Sequence, residues 1–456
     1  MAMPTARSGL LRANLTVASG TALSRLTGLI RIIVFGVVVG QTALADAYDI
    51  ANNAPNVVYE LLLGGILAAT LVPLFTRHLQ KGDDESVSAI TSFAFVALGV
   101  ITALAIALAP LIFRVFSLNP ASEIDADLFR QAGTILTRLL LLQIFFYGVT
   151  SICTSILHAH KKFFAAAWTP VLANLVTITS LLFVSRFSSV DPPTLNEVVD
   201  NKSLQWLLGM GSTSGIIVMA VGMIWALRSN GTTLKWNFDV SHVAVKELLK
   251  LSGWAVGYIA ANQIALVIIK NLANPGSGNV DAYSKAYTFF SLPHGLLAVS
   301  IATTFVPELA RAVTQKNKQE FDRRFFSGIR LTALATIPAS IILAIFAKPI
   351  VALLLQYGNF DESAVTNTAR ALVGLSVGLS GFSIYLFVLR GFYSHGDTRT
   401  PFFINVFENT LNIIFAILLV DKYDVLGLGL AFSFAYLISS GVAIVVLRRK
   451  TFAIAD

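Results

Sequence analysis

The chain has 456 residues, of which 55% are hydrophobic and 13% charged, and its net charge is +8. Ordinary soluble domains are about 25% charged, so the composition excludes a soluble enzyme or a nucleic-acid-binding protein and points to an all-α polytopic membrane protein. One cysteine, Cys153, excludes an internal disulfide.

Twelve transmembrane helices are predicted, each about 20 residues or longer. They cover 14–40, 46–77, 87–116, 131–158, 163–186, 205–228, 248–272, 280–312, 328–356, 366–393, 400–420 and 426–447. The first thirteen residues carry Arg7 and Arg12 without a short apolar core and cleavage site, so they read as a retained flank. Span 1 holds Arg25 and Arg31. Span 2 opens at Asp46 and carries Tyr59 and Glu60 near its centre. An arginine at mid-bilayer costs roughly 2.5 to 3.5 kcal/mol, so a pair costs on the order of 6. Such residues face a wet hollow or an anionic partner. Arg25 and Arg31 are about 120° apart on a helical wheel, so they border a broad cavity and do not form one stripe.

Loop charges alternate along the chain. Arg77 and Lys81, Lys161 and Lys162, Arg228 and Lys235, Lys316 to Arg324, Arg399, and Arg448 to Lys450 fall on one side. The connections at 119–127, 359–363 and 421–424 are neutral or acidic. The positive-inside rule then puts both termini in the cytoplasm. The connections are too short to hold a soluble catalytic domain.

The chain repeats internally. ILAATLVPLFTR (66–77) matches SIATTFVPELAR (300–311) at an offset of 234. HKKFFAAAWTPVLAN (160–174) and HGDTRTPFFIN (395–405) both open on His and close on TPxxxN. The expected halves are 1–232, the cationic one, and 233–456, each of six helices in the same orientation. Repeat transporters hold substrate near the midplane between such halves. Pro55, Pro293 and Pro338 interrupt backbone bonding within or near spans, as structural kinks or as hinges for alternating access.

SRLTGLIR (24–31), ADAYDIANNAPN (45–56), GGILAATLVP (64–73), QYGNF (356–360) and GFYSHGDTRTP (391–401) resemble the MurJ/MviN family over nearly the whole chain. These are lipid II flippases of the multidrug/oligosaccharidyl-lipid/polysaccharide exporter superfamily. The resemblance implies two six-helix lobes around a central cavity. It also implies transport of an undecaprenyl-pyrophosphate-linked peptidoglycan precursor to the outer leaflet of a bacterial inner membrane. Membrane lipids and cell-wall synthesis proteins are the implied partners, with no nucleic acid and no cofactor. Arg25, Arg31 and Asp46 match the family pattern. Tyr59 and Glu60 stand where relatives can show two arginines. Tyr287 and Thr288 stand where relatives can show Asp-Arg, and Lys285, one turn away, is the expected substitute cation.

Arg25 and Arg31 therefore read as diphosphate ligands, since guanidinium forks donate charge-assisted bonds to phosphate. The competing reading is an internal ion pair with Glu60 or Asp46, and Asp46 also reads as a helix N-cap. Arg138 and Lys270 read as snorkelling or packing cations. In span 11, Asn405, Glu408, Asn409 and Asn412 recur at spacings of three and four. They read as a cation site for Na⁺ or H⁺ coupling, or as interhelical hydrogen bonds. No metal cluster is expected of His158, His160 and His395. The other functions that fit are a flippase for another polyprenyl-linked oligosaccharide, a cation-coupled drug antiporter of the same superfamily, a polyprenyl-phosphate enzyme and a non-transporting scaffold. Scattered acids and short loops argue against the enzyme.

Overall fold

A computed structural model describes residues 4–61, 65–232, 235–239, 241–245 and 253–453, with side chains described outside 4–15, 65–70, 253–256 and 451–453. Every extended element among the described residues is helical. The chain forms two compact units, Met1–Val115 with Ile124–Ile259, and Phe116–Glu123 with Ala260–Asp456.

The first unit holds α1 (Pro4–Val39), α2 (Ala43–Tyr59), α3 (Gly65–Gln80), α4 (Asp84–Ala107), α5 (Ala109–Val115), α6 (Ala126–Leu140), α7 (Gln143–Ala159), α8 (Phe164–Phe187), the short α9 (Leu195–Asp200) and α10 (Lys202–Gln205), and α11 (Gly211–Ser229). Then come α12 (Gly253–Leu272), within which the units divide, α13 (Asn279–Pro293), α14 (Val299–Thr314), α15 (Lys318–Ile345), α16 (Ala347–Leu355), α17 (Glu362–Ser376), α18 (Leu379–Ser394), α19 (Arg399–Tyr423) and α20 (Val425–Ala453). This division lies later in the chain than the 232/233 boundary read from the repeat. The loop 116–123 joins the second unit through its backbone: Leu118 N–H donates to Asn271 Oδ1 at 2.7 Å and Ala121 N–H to the Pro275 carbonyl at 2.9 Å.

Nine helices among the described residues are long and apolar enough to span a membrane, or ten if α17 and α18, bent by 48°, form one span. These match ten of the twelve predicted spans. The other two, 46–77 and 248–272, each include residues outside the described set, as does the start of the GGIL motif at 64–67. In lipid every backbone group must be satisfied internally, so the apolar segments adopt helices. Their hydroxyls bond back to the preceding turn, as Thr91 does to Val87 and Thr336 to Thr332, both at 2.7 Å. Side-chain caps from Thr42, Asp83, Asp125 and Asp361 start helices α2, α4, α6 and α17.

Within the first unit, α2 packs on α6, α3 and α4 on α7, and α1 and α11 on α8. The second unit repeats the scheme: α13 packs on α17, α14 and α15 on α18, and α20 on α19. Packing in lipid rewards close fit, and the GLG at 427–429 supplies it. A β-carbon on Gly374 would sit 2.6 Å from the Leu426 carbonyl, and one on Gly429 2.7 Å from that of Ala371. The core of the first unit gathers Leu71, Phe75, Leu98, Ile152, Ile156 and Met223, with Cys153 buried among them.

Candidate functional site

The α1 face that meets α8 runs through Thr16, Gly20, Ser24 and Thr27. Trp168 Nε1 donates to the Thr16 carbonyl at 3.0 Å, over the space that Gly20 leaves open. Asn174 Nδ2 donates to the Ser24 carbonyl at 3.1 Å and to Thr27 Oγ1 at 3.0 Å. With that face fixed, the helical period turns Arg25 to the opposite side, where it is exposed. Arg31 lies nearer the packed face and is half-buried, within electrostatic reach of the Tyr48 and Tyr147 hydroxyls. Neither guanidinium forms an ion pair among the described residues.

A wall of hydroxyl-bearing rings lies beside Arg31. Tyr48 stacks on Phe35 with centroids 4.7 Å apart and shares a hydrogen bond with Ser212 of α11. Tyr59 lies 6.2 Å from Tyr147, ring to ring, and faces Ser151. Asp46 is fully buried in the first turn of α2. The cap there is Thr42, whose side chain accepts from Ala45 N–H at 3.2 Å, so the N-cap role considered for Asp46 is filled by its neighbour. Glu60 is exposed just after α2. The structure thus puts Arg25, Arg31, Asp46, Tyr59 and Glu60 in one unit, with Arg31 against tyrosines.

Lys285 belongs to the second unit. It is buried on α13, ion-paired with Asp281 one turn earlier, and its ammonium lies 5.4 Å from the Phe360 ring centre. A partner carboxylate already neutralises this cation. Lys270 is also buried, so the snorkelling expected of it is not seen; Arg138 is exposed.

Also in the second unit, α19 buries Asn405, Glu408, Asn409 and Asn412. Asn262 of α12 joins them: its Oδ1 accepts from Asn405 Nδ2 and Asn409 Nδ2, both at 2.9 Å. Tyr283, Tyr287 and Tyr436 lie within electrostatic reach of Glu408. The Tyr436 hydroxyl stands as a donor to the Glu408 carboxyl, and no donor among the described residues reaches Asn405 Oδ1 or Asn412 Oδ1. Unbonded buried oxygens are costly, and oxygen donors suit a hard monovalent cation or a proton. The donor set therefore fits such an ion. No group of three or more His, Cys, Asp or Glu side chains fit for a metal occurs among the described residues.

A family profile described as lipid II flippase MurJ matches residues 36–455. The chain belongs to the lipid II flippase MurJ family. It is 30% identical to the lipid II flippase MurJ of Burkholderia cenocepacia over 401 residues, covering 86% of this chain and 75% of that one. It is 26% identical to a probable lipid II flippase MurJ of Buchnera aphidicola, covering 97% and 84%. A solved lipid II flippase MurJ in an inward closed conformation superposes with a TM-score of 0.78 at 23% identity, covering 96% of this chain and 89% of that one. An inward-facing multidrug resistance MATE transporter of the MOP superfamily follows at 0.76 and 14%, covering 97% and 98%. These two structural likenesses establish the fold.

Sequence reasoning missed several residues of this MurJ-family chain. Tyr48, Tyr147 and Ser212 look like ordinary span residues until the helices meet around Arg31. Asn262 carried a usable signal. It stands 235 residues after Thr27, and the bond between Asn174 and Thr27 has its counterpart in the bond between Asn405 and Asn262. Asp281 also had a signal, its four-residue spacing from Lys285.

Proposed function

We propose that the chain moves lipid II from the inner to the outer leaflet of the bacterial cytoplasmic membrane by alternating access. The observation that carries this reading is the family match across residues 36–455. The chemistry of the first unit supports it. Lipid II presents a diphosphate, and Arg25 offers an exposed guanidinium without a carboxylate partner among the described residues. Arg31 adds a second fork whose neighbours, Tyr48 and Tyr147, are hydroxyl donors suited to the same anion. Glu60 and Asp46 act as the acids that exchange with the headgroup as it enters and leaves. Both termini lie in the cytoplasm in this reading, as the loop charges require. An inside-negative potential then favours outward passage of the anion, by about 2.3 kcal/mol per charge per 100 mV.

In the second unit, Asn405, Glu408 and Asn412 hold the coupling ion. Na⁺ or H⁺ bound there neutralises the buried carboxylate, and Asn262 keeps the neighbouring amides oriented. Lys285, paired with Asp281, keeps a supporting place on α13.

The test is an accessibility assay for labelled lipid II in proteoliposomes. Arg25→Ala should lower the rate of appearance at the far leaflet by about tenfold or more, the loss of one strong charge-assisted contact. Its detergent elution profile should match the parent. A normal rate in that variant overturns diphosphate capture. Transport of another polyprenyl-linked oligosaccharide in preference to lipid II overturns the substrate assignment.

A further inference from the structure

We propose that the first unit binds the phosphate headgroup of an acidic glycerophospholipid in a cavity on the side that the loop charges assign to the cytoplasm. The cavity measures about 410 Å³, within the roughly 300–1,000 Å³ typical of small-molecule sites. It is formed by α1 at Thr16 and Val17, by the turn between α7 and α8, and by the end of α11. Lys161 and Lys162 stand at its rim, both exposed, and its lining contains no carboxylate. Leu157, Ala165 and Ala226 supply an apolar wall. Trp225 is 72% exposed and Phe164 59% exposed at its mouth.

This is the division a phospholipid requires. Two ammonium groups meet the phosphate, the aromatics sit at headgroup level, and the apolar wall receives the glycerol and upper acyl carbons. Acidic phospholipid is the anion that such an interface meets in bulk, and each interfacial lysine attracts it.

The backbone at Lys161 is also unusual. Its φ is +59°, in the left-handed region. The turn is closed by Lys161 N–H to the His158 carbonyl and Lys162 N–H to that of Leu157. The second half builds the same turn at His395–Asp397, with Gly396 N–H to Tyr393 and Asp397 N–H to Phe392. There the left-handed position is Gly396, φ +71°. Glycine takes that conformation without a steric cost, so the first half keeps a lysine where the fold alone favours glycine. The opposite exchange occurs at the turn after α14, where Lys316 is left-handed and Gly82 holds the matching place in the first half, so Lys161 counts here because it also borders the cavity. Because Thr16 and Val17 line the cavity, a bound headgroup braces α1 about two turns before Arg25.

The test is native mass spectrometry of the full detergent-solubilised chain with added dioleoylphosphatidylglycerol, dioleoylphosphatidylcholine or undecaprenyl diphosphate. The parent should retain the anionic lipid preferentially. The K161Q/K162Q double variant should lower that retention by about tenfold or more, as two interfacial lysines are worth. Ser229→Trp, which fills the cavity with both lysines intact, should lower it similarly. Lys161→Gly should lower retention while its thermal midpoint equals or exceeds the parent's, which separates a ligand role from a structural one. Lys235→Gln, an exposed cation elsewhere on that side, should change retention less than about twofold. The proposal is overturned by equal losses in Lys235→Gln and the double variant, by undiminished retention in Ser229→Trp, or by retention of undecaprenyl diphosphate in place of the phospholipid. That last outcome would make the cavity part of the transport route and leave the flippase assignment standing.

Discussion

Arg25 and Arg31 share a helix and a charge, yet the fold gives them different surroundings, and the two should respond differently to substitution. Arg25→Lys keeps the charge but loses the planar fork, so it should recover only part of the transport lost in Arg25→Ala. Arg31→Lys should also disturb the tyrosines beside it, and a shift in intrinsic fluorescence would report that. Asp83 offers a residue-scale test outside the membrane. Hydrogen bonds from Ser86, first from its side chain and then its backbone, and from His78 hold the Asp83 carboxyl well down from the usual 3.8, to about 2. A carboxyl held low stabilises the fold above its unfolded pKa and loses that contribution as pH falls toward the folded value. Thermal midpoints of the parent should therefore decline below about pH 4. Asp83→Ala should start about 1 kcal/mol less stable, as a lost N-cap costs, and should lack that part of the acid decline. The expense of two intramembrane arginines was legible from the chain. The tyrosine wall was not, because a ring one helix away leaves no periodic trace in the sequence.

At the scale of elements, the hydropathy pattern located the spans well because each must satisfy its own backbone in lipid. It could not foresee where helices break internally. A π-helical turn at Trp206–Met210 precedes α11, and another at His294–Ala298 follows Pro293. The second brings His294 Nδ1 to 3.0 Å from Ser383 Oγ of α18. Proline marks that break, whereas nothing in the residues of 206–210 announces the first. Close helix contacts are the other element-scale feature. Gly374→Val would drive a side chain into the Leu426 carbonyl, where neither backbone can yield, and the variant should fail to give monodisperse protein in detergent. Gly99→Val, with open space around its position, is the matching control and should behave as the parent.

Across the whole molecule, the duplication recovered from short sequence matches reappears as the same order of helix contacts inside each unit. The buried asparagines of α19 are where the copies part. The positions 231 residues before Glu408, Asn409 and Asn412 are Thr177, Ile178 and Leu181. Glu408→Gln should make transport indifferent to an imposed sodium or proton gradient; a rate that still follows either gradient would remove the coupling assignment.

The asparagine clasp occurs in both units with different surroundings. One unit has a plain fastening, Asn174 on Thr27, while the other surrounds its fastening with a carboxyl and further amides. Writing the first unit's residues into the second, as E408T/N409I/N412L, asks whether two helices can stay clasped once the oxygen around the clasp is gone.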